Sequence, residues 1–250
     1  MGDLKDNENR TLKVDGLVNG RDLGGLKRSD GTVTPRGVFF RSENVDGITG
    51  NGWQQIYDAG IRSVVDLRQH GERNTDCQER PGWLTTLHID LDGLENKRFW
   101  ADYWDNGLVG TALYFLPHLS AMPERAGAAI SALVNAPQGG VLFHCMGGRD
   151  RTGLVAMVLL QAIGTDLERI VDDYMETVRL GDVRATRSNR NNAEPMLEEL
   201  CRQHGTTTEG AFRDTLAKFD LQAFLDAAEL TDKDREALFT WRGAITTPQP

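Results

Sequence analysis

The sequence predicts an α/β fold, with a mostly parallel sheet in the first part of the chain and helices after it. Short apolar or β-branched runs alternate with helical segments up to about residue 165, which is typical of strand-helix-strand units. Beyond that point the apolar residues recur at helical spacing. The 250 residues suffice for one large domain.

Four strands are predicted in turn. The first ends near Arg41, "IRSVVDLR" and "LTTLHIDL" follow, and "GGVLFHC" is the last. A short helix lies between the first two strands and ends at Gly60, because glycine favours a left-handed C-cap. The apolar run "TGLVAMVLLQAIG" predicts a buried helix, and the next helix begins on a cap at Thr165 and Asp166.

The domain organisation follows from these elements. We expect a flexible N-terminus over residues 1–14 and one domain over 15–245. Helices over about 95–136 are a candidate lid, and residues 165–245 form a helical C-terminal part. Four aromatic residues either cover a pocket from the lid or pack in the core of these helices: Phe99, Trp100, Tyr103 and Trp104.

Composition excludes several classes of function. The net charge of −9 argues against nucleic acid as a main partner. No apolar run is long enough for a membrane span, and no secretory leader is evident, so a cytoplasmic location is expected. The three cysteines, which include Cys77 and Cys201, form no disulfide or zinc pattern. We expect no metal or organic cofactor, and the oligomeric state stays open.

The stretch "VLFHCMGGRDRTG" carries the chemistry. A strand, a glycine-rich turn and a helix start together form a concave anion site of backbone N–H groups. Cys145 at its floor is expected to ionise readily and to act as a nucleophile. Arg151 can bind two phosphate oxygens with its planar guanidinium group. An alternative without function, a buried cysteine in a tight turn, does not account for Arg151 and Thr152 together.

The other residues of the stretch have expected roles. Thr152 can donate a hydrogen bond to the sulfur when it leaves, and His144 orients the loop through backbone contacts. Asp150 can protonate the leaving oxygen and then activate water. Asp92, after the strand "LTTLHIDL", is the alternative general acid. The phosphate-binding part of the loop comprises Met146, Gly147, Gly148, Arg149 and Thr152.

The loop resembles the signature of cysteine-dependent protein tyrosine phosphatases. "NGRDLGG", "GVFFRSENVDGIT" and "GIRSVVDLRQHGER" precede it in the order found in an atypical bacterial branch. That branch includes secreted mycobacterial phosphatases of phosphotyrosine and phosphoinositides. The resemblance covers about residues 15–245 and implies a phosphatase-like fold, a cysteinyl-phosphate intermediate, and Cys145, Arg151 and Asp150 as catalytic residues.

At two loop positions the sequence departs from that family. Gly147 and Arg149 stand where alanine and lysine are usual. We expect Arg149 to keep a positive charge at the rim of the site with a changed geometry, which bears on substrate preference.

Polar residues outside the loop have less definite roles. Asp22, beside Arg21, is either a partner that orients the loop or part of a surface turn. Asp66 and Arg68 end a strand, where sites form in α/β sheets, and Arg68 makes either a salt bridge that shapes the site or a direct substrate contact. We expect Glu72 and Arg73 to form a solvated ion pair, Arg41 to be structural, and Cys77 and Cys201 to be inert.

These observations predict a phosphomonoester hydrolase that acts on a phosphorylated protein, as a protein tyrosine or dual-specificity phosphatase. A phosphatase of small metabolites is the alternative. Two other classes, a non-catalytic phosphate-binding module and a sulfur-transferring enzyme, fit less well. The intact Cys145 and Arg151 disfavour the first, and the Asp-Arg-Thr-Gly end of the loop disfavours the second.

Overall fold

The computed structural model describes residues 10–74, 76, 78–104 and 106–246. Within them a five-stranded sheet has the order β1-β2-β5-β3-β4. The strands are β1 Arg21–Asp22, β2 Phe39–Ser42, β3 Ile61–Asp66, β4 Thr85–His88 and β5 Gly140–His144. Only β1 pairs antiparallel, which confirms the predicted mostly parallel sheet. The two residues of β1 are too few for a sequence pattern to reveal.

Helices flank the sheet and make up the C-terminal part, as predicted. A 3₁₀ turn spans Ala112–Tyr114. The helices in the described ranges are α1 Gly50–Asp58, α2 His70–Arg73, α3 Lys97–Tyr103, α4 Phe115–Ala121, α5 Pro123–Val134, α6 Asp150–Ala162, α7 Leu167–Arg179, α8 Gly181–Arg187, α9 Glu194–Gln203, α10 Thr208–Lys218, α11 Leu221–Ala227 and α12 Asp232–Phe239. None of the helices in those ranges is long and apolar enough to cross a bilayer.

The predicted helix boundaries have the expected local causes. Gly60, just beyond α1, has a φ of +80°, a backbone conformation that glycine adopts without strain. The side chain of Asp166 accepts a hydrogen bond from the N–H of Glu168 and so caps α7.

The main core lies between one face of the sheet and the helices around α6. Phe99 and Trp100 are buried in it, so for these two aromatics the core interpretation holds and the lid interpretation is wrong. Tyr103 packs against the same core, whereas Trp104 is half exposed. Trp241, near the end of the chain, is fully buried with its ring centroid 4.7 Å from that of Phe39.

The first described residues belong to this packed structure. Leu12 and Val14 are buried in a smaller core with α1 on the other face of the sheet. The Arg10 side chain is buried in an ion pair with Asp173 of α7. Residues 10–14 are therefore packed rather than flexible, which corrects the expected boundary at residue 15.

The sheet brings three chain segments to one edge. Ser42, His144 and Asp66 end β2, β5 and β3, and the register pairs Ser42 with His144 and His144 with Asp66. The segments that follow these residues therefore lie side by side at the carboxyl ends of the strands, where α/β proteins form their sites.

Candidate active site

The loop from Cys145 to Arg151 connects β5 to α6, and its carbonyl groups are held from outside. The Met146 carbonyl accepts from the N–H and the side chain of Asn44 at 3.0 Å each. The Gly148 carbonyl accepts from Arg41 at 2.8 Å. Because each peptide is trans, the N–H groups on the same peptide units point the opposite way. The loop thus presents amide hydrogens toward its inside, as a phosphate cradle requires.

The Gly147 carbonyl has two further anchors. It accepts from Asn19 and from Arg184 of α8, each at 3.3 Å. Arg21 in turn holds the Asn19 side chain at 2.6 Å. Arg21 therefore supports the loop through Asn19, as a positioning residue.

Gly148 has to be glycine for two reasons. Its φ is +68°, in the left-handed region that disfavours other residues. A Cβ atom at this position would lie 2.5 Å from the Ser42 carbonyl oxygen. The loop can therefore pass close to β2 only because this position has no side chain.

A buried carboxylate stands behind the loop. Asp173 of α7 binds Arg10, Arg21 and Arg41, with an Arg41 nitrogen 2.6 Å from Oδ2 and the Arg21 Nε 2.9 Å from Oδ1. Asp173 and Arg41 are each 1% exposed. Despite burial, the three guanidinium groups hold the pKa of Asp173 far below its usual range. Arg41 thus connects Asp173 to the Gly148 carbonyl.

The guanidinium of Arg151 faces two carboxylates. Glu72 of α2 binds both of its terminal nitrogens, with one contact of 2.7 Å, and Asp92 Oδ2 lies 2.9 Å from Nη1. Although desolvation acts against the charge, hydrogen bonding to Glu72 raises the pKa of Arg151 well above its ordinary value. The expected solvated pair of Glu72 and Arg73 is wrong, because the Glu72 carboxylate turns inward to Arg151.

Asp92 sits on a loop that two core side chains hold. The indole N–H of Trp100 donates to the Asp92 carbonyl at 2.9 Å, and His118 Nε2 lies 2.9 Å from the Leu91 carbonyl oxygen. Asp92 itself is 6% exposed. Burial raises its pKa to about 6, even though Arg151 acts in the opposite direction. Such a carboxyl group can hold a proton near neutral pH.

Asp150 and Arg149 lie together at the start of α6. Burial raises the pKa of Asp150, whose Oδ1 is 3.4 Å from an Arg149 nitrogen. Arg149 is 4% exposed, its Nε lies 3.0 Å from Glu194, and its guanidinium lies over the ring of Tyr174. Arg149 also lines the cavity beside the loop, but its side chain is largely buried against α7 and α9 and its charge is paired with Glu194.

Further charges around the cavity come from α8 and the segment after it. Arg184 binds Glu194 at 2.6 Å, and a cavity of about 580 Å³ opens beside the loop. Its lining includes Cys145, Asp150 and Arg151 on the loop. The outer lining includes Arg184, Arg187, Arg190, Val109, Met196 and Leu197. Sequence analysis misses this wall, because no local motif links these residues to a loop more than 30 positions away.

Three predicted supporting residues lie near the loop but differ in role. His144 is 1% exposed, and its Nδ1 is 3.0 Å from the Cys145 carbonyl oxygen, consistent with the expected backbone contact. Arg68 is fully buried and binds both Asp66, at 2.9 Å, and Asp46. It makes the salt bridge that shapes the sheet edge, and the direct-contact alternative does not fit this burial.

Asp22 does not contact the loop. Its carboxylate accepts from the N–H groups of Gly24 and Gly37 at 2.7 and 2.9 Å, and burial raises its pKa. Asp22 thus fastens the turn after β1 to the start of β2. The prediction that Asp22 orients the loop is wrong, and Asn19 has that contact.

Cys201 is a buried thiol outside the loop. Burial raises the pKa of Cys201 in α9, which disfavours the reactive thiolate. Cys77 lies outside the described residues. Among the residues that the structure describes, no group of three or more histidine, cysteine or carboxylate side chains could hold a metal ion.

This chain is similar to known tyrosine phosphatases. The profile of a tyrosine phosphatase family matches residues 12–241. A protein of Cupriavidus necator classed with tyrosine-protein phosphatases is 28% identical over 203 residues, covering 78% of this chain and 68% of its own. The triple specificity protein phosphatase PtpB of Mycobacterium tuberculosis is 38% identical over 176 residues, covering 58% and 63%. A tyrosine-protein phosphatase of Nostoc commune is 28% identical over 149 residues, covering 57% and 49%.

The profile match extends over nearly the whole described chain and includes the loop, its anchors and the wall of the cavity. With its cysteine, arginine and glycine-rich turn between β5 and α6, the chain belongs to the tyrosine phosphatase family.

Proposed function

We propose that the protein hydrolyses phosphomonoesters through a phosphocysteine on Cys145, with phosphotyrosine in proteins as the preferred substrate. The observation that carries the proposal is the loop itself. Cys145 and Arg151 stand at its two ends, and the intervening carbonyls are held from outside. Amide hydrogens and a guanidinium can thus surround a phosphoryl group while charge develops on its oxygens.

The first step breaks the ester P–O bond. The Cys145 thiolate attacks phosphorus, and the leaving oxygen takes a proton from a carboxylic acid. The planar guanidinium of Arg151 binds two equatorial oxygens and stabilises the negative charge on them. The amides of the phosphate-binding residues 146–149 bind those oxygens as well.

In the second step water attacks the phosphocysteine, gives a proton to the same carboxylate and releases the thiolate. Thr152 is fully buried in the first turn of α6, and its Oγ1 has no hydrogen-bond partner among the described residues. It can therefore donate to the departing sulfur.

Asp150 is the proposed general acid, because it lines the cavity with Cys145 and its pKa is raised. Asp92 is the second candidate, on the strength of its contact with Arg151 and its pKa of about 6. A bound phosphate that takes over the Arg151 fork would free Asp92 and favour its protonated form.

The pH dependence of kcat for Asp150→Asn and Asp92→Asn separates these assignments. The variant that lacks the acid loses the basic limb of the profile and loses more activity on esters with poor leaving groups. The other variant keeps both features. A retained basic limb in Asp150→Asn would move the role to Asp92.

The proposed preference for phosphotyrosine rests on the side chains that line the cavity. Its outer wall combines Val109, Met196 and Leu197 with arginines. The apolar side chains suit an aromatic ring, and the arginines suit acidic residues near it. The same cavity could accept a small phosphorylated metabolite, which remains the alternative. We also propose a cytoplasmic location, because a reducing compartment keeps a thiolate nucleophile from being oxidised.

Phosphate release over a mixed panel tests the proposal. The panel holds phosphotyrosyl and phosphoseryl peptides, phosphoinositides, nucleoside monophosphates and sugar phosphates, with a chelator present. Wild type should act best on phosphotyrosine, and Cys145→Ser should be inactive. Preferential turnover of a metabolite would favour the alternative. Release by neither protein would contradict a catalytic role, and Cys201→Ser serves as the matched control that should keep full activity.

A further inference from the structure

A second cavity, of about 300 Å³, lies beside the catalytic cavity and shares no lining residue with it. Its floor is the sheet. Asp66 of β3 pairs in register with His144 of β5 on one side and with His88 of β4 on the other. Thr86 lies two residues before His88 on the same face of β4. All four side chains line the cavity.

The cavity contains an unused hydrogen-bond acceptor. His144 is 1% exposed, and its Nε2 has no hydrogen-bond partner among the described residues. Its Nδ1 lies 3.0 Å from the Cys145 carbonyl oxygen. A carbonyl can only accept, so Nδ1 carries the proton, and Nε2 of the neutral ring is an acceptor. Burial lowers the pKa of His144 and so favours this neutral ring.

The same cavity contains a cation that lacks a carboxylate. Among the described residues no carboxylate lies within 4 Å of Arg73, which ends α2 and lines the cavity. The other two arginines nearby are paired: Arg80 with Asp76, and Arg68 with Asp66. Asp46 binds both Arg68 and Arg80, so three carboxylates balance the three arginines, and Arg73 is the arginine without a direct carboxylate partner among the described residues. The carboxylates would repel a second negative charge on a ligand.

We propose that this cavity binds a small polyhydroxylated molecule with a single negative charge. Arg73 binds the anionic group, and His144 Nε2 accepts from a hydroxyl group. Thr86, whose Oγ1 is buried with no hydrogen-bond partner among the described residues, binds a second hydroxyl. The volume fits a molecule about the size of a six-carbon sugar acid.

Two elements connect this cavity to the loop, and this step rests on the proposed function. His144 contacts the Cys145 carbonyl through Nδ1, and the same residue lines the second cavity. Helix α2 directs Glu72 to Arg151 and Arg73 to the second cavity. A ligand there acts on both ends of the catalytic loop without competing with substrate, so it changes kcat even at saturating substrate.

Gluconate is a suitable probe because two analogues isolate its features. Hexanoate lacks the hydroxyl groups, and sorbitol lacks the charge. Each is titrated into Cys145→Ser protein with ¹⁵N-labelled histidine, so that binding is measured independently of catalysis. We expect gluconate alone to move the ¹⁵N resonance of His144 Nε2. In wild type, gluconate should change kcat at saturating aryl phosphate.

Two variants locate the site. Arg73→Gln should weaken gluconate binding about tenfold or more, Thr86→Val should weaken it less, and the exposed Arg202→Gln should leave it unchanged. Absence of the His144 shift, equal binding of hexanoate, or unaltered binding by both variants overturns the site. Binding without a change in kcat overturns the linkage. Phosphate release by the wild type without gluconate is an independent measurement, and it tests the proposed function separately.

Discussion

Replacement of Asp173 by asparagine removes one carboxylate from three buried guanidinium groups. Arg10, Arg21 and Arg41 all bind this side chain, which is 1% exposed. Asparagine is similar in size but has no charge, and its amide donors oppose those of the arginines. The substitution therefore leaves buried cations uncompensated, which costs about 3–5 kcal/mol when one partner of a buried pair is lost.

The predicted loss is measurable by thermal unfolding. At about 2–4 °C per kcal/mol for a chain of this size, the midpoint should fall by roughly 6–20 °C. Asp214→Asn is the matched control, because it removes a carboxylate from an exposed helical pair with Lys218. Such a pair contributes about 0–1 kcal/mol.

The wild-type contribution also has a defined pH dependence. The folded pKa of Asp173 is depressed, so its stabilisation is present above the ordinary pKa of 3.8 and is lost as the pH falls toward the folded value. The gap between wild type and Asp173→Asn should thus be full at pH 7 and narrow in acid. A loss below about 1 kcal/mol at pH 7 would refute the reasoning, because it is the size expected of an exposed pair.

Three further substitutions test the catalytic loop. Glu72→Gln should raise KM about tenfold, since the Arg151 fork loses its charged partner, and an unchanged KM would show that Glu72 does not position Arg151. Gly148→Ala should lower both kcat and stability, whereas Gly205→Ala, with a similar φ and no atom within 4 Å, should cost only about 1–2 kcal/mol of stability. Asp92→Asn should stabilise the fold at pH 8 by up to about 3 kcal/mol. The reason is that the pKa of Asp92 is about 6 in the folded state instead of 3.8, so the wild type loses stability as the pH rises between those values. Equal unfolding midpoints of wild type and variant at pH 8 would contradict this.

Sequence patterns predicted those features that neighbouring residues determine. The strands β2 to β5, the helix after the loop and the caps at Gly60 and Asp166 follow from local periodicity and turn chemistry. The loop between β5 and α6 was recognisable for the same reason. Its residues are consecutive, and their chemistry is meaningful in that order.

The groups that hold the loop in place were not predictable in this way. Glu72 was expected beside Arg73 in sequence, yet its partner Arg151 is 79 positions away. Arg184 and Glu194 meet the loop only because α8 and α9 fold back over it. The direction of a long charged side chain depends on such distant partners. The same reason explains why the Arg149 side chain, which lines the substrate cavity, is held by Glu194 rather than extended into solvent.

Asp22 illustrates the opposite error. Its place in a glycine-rich turn with Asn19 suggested a direct contact with the loop, but the short side chain finds two backbone N–H groups within its own turn and the next strand. A local hydrogen bond competes effectively with a more distant one.

The spread of the loop's anchors along the chain has a consequence for how the protein is made. Asn19 and Arg41 come early in synthesis, and Arg184 and Glu194 come late, while Trp241 completes the core against Phe39. Such long-range contacts form slowly during folding. On the ribosome, Cys145, the proposed nucleophile, therefore emerges before the segments that fix its surroundings. We expect a nascent chain to remain without phosphatase activity until its last helices are released.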